Sequence, residues 1–402
     1  MKITLPDYVN TAIRKLNDAG YECYVVGGAV RSSLLNLPVH DYDLTTSALP
    51  EQTKEVFKEL HIIETGIKHG TVTVVIDHHP LEITTYRKET EYKDHRHPDE
   101  VIFTSALQED CARRDFTVNA LCYHPQKGIL DFYNGLDDLE HRIIRCIRDP
   151  EERFDEDALR ILRAVRFASR LNFSIEERTL RALHEKRELL QYISKERIHE
   201  ETESLLAGNI YEKILTECLD VLTVYIPVLG ALSPQKWTEI VEKINQCSSS
   251  AQVRMAVMLS AVSIKDAEQT LKDLKYSNHD TQLILALLKK RNEPVSSVSE
   301  LKHLLSSLDC SYEDYFSFRC ALDSDLDYSR LVSKCDGIIK NGECISLKQL
   351  DVKGNDLIVL GIRGKEIAYV LNALLNDVID GRQKNKKEEL LARAMEIHSS
   401  IF

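Results

Sequence analysis

The spacing of apolar residues changes character along the chain. Val9, Ile13 and Leu16 share one face over residues 7–18, which predicts a helix that Gly20 ends. YECYVVGG, residues 21–28, predicts a strand running into a glycine pair. AVRSSLLNL (29–37) predicts a helix that stops before Pro38, HDYDLTT (40–46) a second short strand, and EQTKEVFKEL (51–60) another helix. TVTVVID (71–77) and LEITTYR (81–87) are β-rich and flank a turn at residues 78–80. Residues 87–99 form a charged loop containing Pro98, VIFTS (101–105) is extended, and ARRDFTVNALCY (112–123) begins an element dense in polar groups.

After Pro150 the pattern becomes helical. EDALRILRAVRFASRL (156–171) repeats at helical spacing, strand signals almost vanish, and amphipathic helices follow one another to Phe402. The expected fold class is an α/β head followed by a long helical body. A softer boundary falls near NGECIS, residues 341–346.

Composition changes this picture little. With 402 residues, 43% hydrophobic and 29% charged, the chain can bury an ample core without staples. A formal net charge of -12 argues against a protein coated in nucleic acid, but a local basic face is compatible with an acidic remainder. The ten cysteines include no C-x-x-C pair, so reduced and mostly buried thiols are expected. The N-terminus has no signal-peptide core, and no run of about 18 apolar residues occurs. A cytoplasmic protein with no membrane partner and no obligatory protein partner is expected.

Four clusters carry candidate chemistry. Gly27, Gly28 and Arg31 sit at a strand-to-helix turn, where bare backbone can approach a phosphate and Arg31 can add charge; a plain tight turn is the alternative. Asp41 and Asp43 follow; on a strand, residues two apart share a face. Two adjoining carboxylates call for a cation, and Mg²⁺ leaves coordination sites for water and phosphate oxygens. Glu82 is either a third carboxylate or a solvated strand end. Arg113, Arg114 and Asp115, closing with Asn119, suit a triphosphate or ribose, or a salt-bridged surface turn. Glu156 and Asp157 begin a run in which Asp157, Arg160, Arg163 and Arg166 recur at three-residue spacing along one predicted helix, with Leu159, Leu162, Val165 and Phe167 filling its other side; a charged helix face is the alternative.

An aspartate and an arginine acting together can read a base edge. Cytosine presents an amino donor at N4 beside an acceptor at N3, and adenine the same order at N6 and N1. Carboxylate accepts and guanidinium donates, so Asp157 with Arg160 complements both bases. Uracil and guanine present the reverse order and would leave polar groups unmet, at about 1–3 kcal/mol each.

In this order the clusters resemble the class II CCA-adding enzymes and bacterial poly(A) polymerases of the polymerase-β-like superfamily. The similarity spans nearly the full chain and is nearest to CCA-adding enzymes without a phosphohydrolase domain. GGAVR with HDYDLTT looks like the family's metal-binding motif and RRDFTVNAL like its sugar-recognition motif. DFYNGLDDLEHRIIR, with Asp131, Gly135 and Asp138, resembles the hinge motif, EDALRILRAVRF the base-reading motif, and ERIHEETESLL the helix motif that follows.

The resemblance implies Mg²⁺ on Asp41 and Asp43, nucleotide contacts from Gly28 and Arg31, and sugar or phosphate contacts from Arg114 with Arg113 and Asp115 nearby. It implies a nucleotide pocket lined by Asp157, Arg160, Arg163 and Arg166. It also implies a seahorse-shaped molecule: a nucleotidyltransferase head at 1–145, a neck with the nucleotide-selecting helix at 146–206, a body at 207–340 and a tail at 341–402. The helical remainder would bind the acceptor arm of tRNA. Arg382, Lys384, Lys386 and Lys387 would touch phosphate there or, with Glu388 and Glu389 following, form a solvated charge run. The His279-Asp280 dipeptide is a chance match to a phosphohydrolase signature.

Four activities share this scaffold. The loop RKETEYKDHRHPDEVIF, with Tyr92, Asp94, Arg96 and Pro98, is similar to that of complete and A-adding enzymes and is missing from CC-adding relatives. No strongly basic extension of the poly(A) polymerase kind is present. The expected activity is addition of CCA to tRNA from CTP and ATP. A-only addition is the main alternative, and a catalytically silent tRNA-binding protein is the alternative of a different class.

Overall fold

Most of the β-branched and aromatic runs of the first 145 residues pair into one mixed seven-stranded sheet. This is seen in a computed structural model that describes residues 2–89, 101–248 and 250–401. The chain divides into two units, one ending at Thr238 and the other beginning at Glu239.

The first unit opens with α1 (Asp7–Asp18), whose Val9, Ala12, Ile13 and Leu16 are buried. β1 (Cys23–Val26), α2 (Gly28–Leu34), β2 (Asp43–Thr46), α3 (Pro50–Val56), β3 (His61–Ile63), β4 (Thr71–Ile76) and β5 (His79–Thr85) follow. β6 (Arg87–Glu89) pairs with β7 (Val101–Phe103) outside the main sheet. α4 (Leu107–Ala112), β8 (Cys122–His124), β9 (Gly128–Leu130), α5 (Gly135–His141) and β10 (Ile143–Ile144) complete the head. The seven-stranded sheet runs β3-β4-β5-β2-β1-β8-β9. β2 and β5 are parallel, and the other neighbours are antiparallel. β1 and β8 are buried along their length, and β1 accordingly reads as a continuous apolar run, whereas β4 alternates.

α6 (Pro150–Glu156) starts with proline at its first position, and the Asp149 carboxylate accepts from Glu151 N at 2.9 Å. α7 (Leu159–Leu171), β11 (Ser174–Ile175), α8 (Glu177–Lys186) and α9 (Lys195–Leu206) come next. In the second unit the described residues are helical without strands. Its C-terminal helices enclose Leu350, Val352, Leu357, Val370, Leu374 and Leu390. A mixed-sheet head with a helical remainder is the fold class read from the sequence.

Several boundaries differ from that reading. β2 begins only at Asp43, so Asp41 lies on the extended lead-in rather than in the strand. The helix expected over 51–60 stops at Val56, and β3 was not anticipated because three residues carry no periodicity. The helix expected from residue 156 is broken: α6 ends at Glu156, and Asp157 has φ -144° and ψ 101°. The cause is the Asp157 side chain, whose Oδ1 accepts from Leu159 N at 3.1 Å and so competes with helix continuation. Residues 87–89, expected to begin a loop, instead pair in a ladder with 101–103, which are extended as read from the sequence; Tyr92, Asp94, Arg96 and Pro98 lie outside the described residues. All ten cysteines are free. Among the described residues no helix is long and apolar enough to cross a membrane.

The second unit also answers two minor points. Asp280 Oδ2 accepts from Ser277, the residue capping its helix, so the His279-Asp280 dipeptide serves a helix start. In the tail, Arg382 pairs with Asp377 and Asp380, and Lys387 with Asp356.

Candidate active site

β1 turns sharply into α2 through Gly27, whose φ of 67° favours glycine. A Cβ there would also lie 3.3 Å from Arg114 Nη1, so the glycine gives the arginine room to cross the turn. One helical turn on, Arg31 is buried, donates to Asn119 Oδ1 and lies 4.9 Å over the Phe167 ring. Burial, reinforced by Arg166, Arg170 and Arg163 and opposed by Asp115, brings the Arg31 guanidinium down to about 10. Such a crowd of cations favours an anion among them.

The carboxylates gather where β2 and β5 run parallel. Asp43 stands opposite Glu82 in register. Burial by the cleft walls raises Asp43, with Asp41 adding to the effect and Arg114 opposing it. Glu82 is raised by burial and by Asp43 and Asp41. The three acidic groups therefore share one field, which a bound cation would relieve. Among the described residues no three His, Cys, Asp or Glu side chains form a closed metal shell. An incomplete acidic edge fits a magnesium ion that keeps water and phosphate ligands.

Arg113 and Arg114 leave the end of α4 and are held by Asp110, at 2.9 Å through Arg113 Nε and 3.4 Å through Arg114 Nη2. Their main-chain carbonyls both accept from Arg153 Nη2 at 2.6 Å. Asp115 turns the other way. Its Oδ2 accepts from Arg163 Nε at 2.8 Å and Nη2 at 2.6 Å, and its Oδ1 from Asn119 Nδ2 at 2.9 Å. Burial alone would raise the Asp115 carboxyl, but Arg163 and Asn119 hold it well below the usual carboxylate range. Asp115 thereby fastens the head to α7.

On α7, Arg160 donates to Glu156 Oε2 at 2.7 Å and to the Arg153 carbonyl at 2.9 Å. Asp157, at the break between α6 and α7, accepts from Arg197 Nη2 of α9 at 3.0 Å. Arg166 pairs with Glu201 at 2.6 Å and lies 4.2 Å over Phe167.

These groups enclose a cavity of about 350 Å³. Of the four candidate clusters, it is lined by Gly27, Gly28, Arg31, Asp43, Arg113, Arg114, Asp115, Asn119, Asp157, Arg160 and Arg163, while Asp41, Glu82, Glu156 and Arg166 are not among its lining residues. Asp41 is exposed beside the cavity, and Arg166 stands behind Phe167. Phe167 itself lines the wall. Sequence reading assigned it to the core because it continues the apolar stripe of α7; the only hint otherwise was the density of arginines around it. Asp110 and Glu201 were also missed, since an isolated acidic residue shows nothing until its arginines converge on it.

Carboxylates facing across the β2–β5 edge of a mixed sheet, beside an arginine-lined cavity walled by α7, define a nucleotidyltransferase. Residues 23–145 match the poly A polymerase head domain, and residues 172–217 match the probable RNA and SrmB-binding site of polymerase A. The CCA-adding enzyme of Pediococcus pentosaceus is 35% identical over 94% of this chain and 95% of its own length, and that of Enterococcus faecalis 34% identical over 98% of both. The chain belongs to the CCA-adding enzyme family. The structure of the Bacillus stearothermophilus CCA-adding enzyme in complex with CTP superposes with a TM-score of 0.85 at 28% identity, covering 98% of this chain and 99% of that one. The Thermotoga maritima enzyme complexed with tRNA shares the fold, with a TM-score of 0.70 at 22% identity over 98% and 96% of the two chains.

Proposed function

We propose that this chain adds C, C and A in turn to the 3′ end of tRNA, using CTP and ATP and releasing pyrophosphate. The observation that carries the reading is a single cavity with a metal-binding carboxylate, Asp43, at one side and a base-reading pair, Asp157 and Arg160, at the other. Asp41 and Asp43, with Glu82 alongside, would hold Mg²⁺, which supplies activation of the tRNA 3′-hydroxyl and charge neutralisation on the departing pyrophosphate. Arg113, Arg114 and Arg31 orient the phosphates, and Gly27 and Gly28 let the nucleotide approach the backbone. Asn119 holds Arg31 in place, while Asp115 and Arg163 fix the neck helix against the head. Asp157 accepts from the exocyclic amine and Arg160 donates to the adjacent ring nitrogen, which admits C and A and leaves U and G mismatched.

The helical remainder is assigned to the tRNA acceptor arm, with the head at 1–145, neck at 146–206, body at 207–340 and tail at 341–402. We assign this activity to the cytoplasm. Three tRNA transcripts, ending before CCA, after C and after CC, test the reading when offered CTP and ATP separately and together. Complete addition extends all three to CCA. Extension of only the last would replace the reading with A-only addition.

A further inference from the structure

Asp110 has no part in the roles assigned above. It lies on α4, three and four residues ahead of the arginine pair, and its side chain is 0% exposed. A carboxylate so enclosed persists only when its lone pairs are answered. Four donors from three parts of the head answer them. Oδ1 accepts from Arg113 Nε at 2.9 Å and from Arg87 N at 3.3 Å, and Oδ2 from Thr45 Oγ1 at 3.1 Å and Arg114 Nη2 at 3.4 Å. Thr45 is on β2, two residues beyond Asp43.

This arrangement fixes which edge of Arg114 remains for other use. Nη2 is committed to Asp110, Nη1 lies beside Gly27, and Nε is buried with no partner. Arg114 and Asp43 line the same cavity, and the Arg114 charge acts on the Asp43 carboxylate.

We infer that Asp110 is a positioning residue for the phosphate chain of the incoming nucleotide: it locks Arg113 and Arg114 together and ties them, through Thr45, to the strand that carries Asp43. The cations and the metal-binding carboxylate then keep one spacing whichever base is bound. The inference rests on the nucleotide reading proposed above. It separates phosphate grip, set by Asp110, from base choice, set by Asp157 and Arg160.

The test is equilibrium binding of CTP and of CMP to the full chain with Mg²⁺, alongside thermal melting. Asp110→Asn keeps size and one accepting oxygen, so it can still accept from either Thr45 or Arg87 N but not both, and it no longer neutralises two guanidinium groups. CTP affinity should fall about tenfold, the scale of a lost charge-assisted bond, with CMP affinity changed less than about twofold. In an Arg114→Ala background the same substitution should add less than about twofold, because its effect runs through that arginine. Thr45→Val, which removes a hydroxyl shared between Asp110 and the Thr84 carbonyl, should give a smaller loss with the same preference for CTP, and it decides the matter if Asp110→Asn does not fold. Equal weakening of CTP and CMP would mean a merely structural role and overturn the inference. Unchanged CTP binding in Asp110→Asn, with Arg114→Ala weakened, would overturn it while leaving the proposed function intact. Unchanged binding in both variants would overturn the phosphate assignment and this inference with it.

Discussion

At the scale of single residues, the site is organised by buried ion pairs whose partners come from distant parts of the chain. Asp115 and Arg163 are 48 residues apart and meet at 2.6 Å. Removing the carboxylate strands a guanidinium, but Arg163 keeps 34% of its side chain exposed, so part of that cost returns to solvent. Asp115→Asn should therefore lower stability at pH 7 by about 2 kcal/mol, read from urea unfolding. The pH dependence has a fixed sign. The folded Asp115 carboxyl lies below its unfolded value of about 3.9, so its contribution is full above that value. It declines as pH falls toward the folded value, and the gap between wild type and variant should close below about pH 4. A gap that widens on acidification would contradict the pairing. Asp41, Asp43 and the arginines are legible in sequence because their spacing is local. Phe167, Asp110 and Glu201 are not, because only folding turns an ordinary apolar residue into a cavity wall, or an isolated acidic residue into the partner of a site arginine.

At the scale of elements, two corners set the geometry. The first joins α5 to the short turn at Thr117–Asn119. A Cβ on Gly135 would lie 2.3 Å from the Thr117 carbonyl oxygen, and Asp138 Oδ2 accepts from Thr117 Oγ1 at 2.6 Å. Asp131 closes the corner by accepting from Gly135 N and Leu136 N, both at 2.9 Å. Gly135→Ala forces backbone against backbone and should cost about 3 kcal/mol, seen as a melting point several degrees lower. An unchanged melting point would show that the corner yields freely. The second corner is the break at Asp157. With no proline or glycine to mark it, helical periodicity ran straight through, and only the capping habit of aspartate explains the interruption. The break takes Asp157 off the helix while Arg160 stays on it. Asp157→Ala and Arg160→Ala should raise misincorporation of UTP and GTP relative to CTP by about tenfold, in assays with each triphosphate alone. Unchanged rejection in both would remove the base-reading role.

At the scale of the whole molecule, an overall charge of -12 coexists with a cavity walled by five arginines, so the sign of the chain says little about its substrate. The passage from β-rich to helical sequence near Pro150 was legible because period two and period 3.6 differ over many residues. The division at Thr238 and Glu239 was not, because it falls inside the helix Pro234–Gln246, where the pattern does not change. On the proposed reading, chemistry and selection share one chamber in the first unit, since Asp43, Asp157 and Arg160 line the same cavity. The most direct measurement is single-turnover addition of CMP to a tRNA transcript ending before CCA, by wild type and by Asp43→Ala, with tRNA binding measured in parallel. Incorporation should fall by about a thousandfold or more, while tRNA affinity stays within about threefold. Wild-type rates in Asp43→Ala would contradict the account.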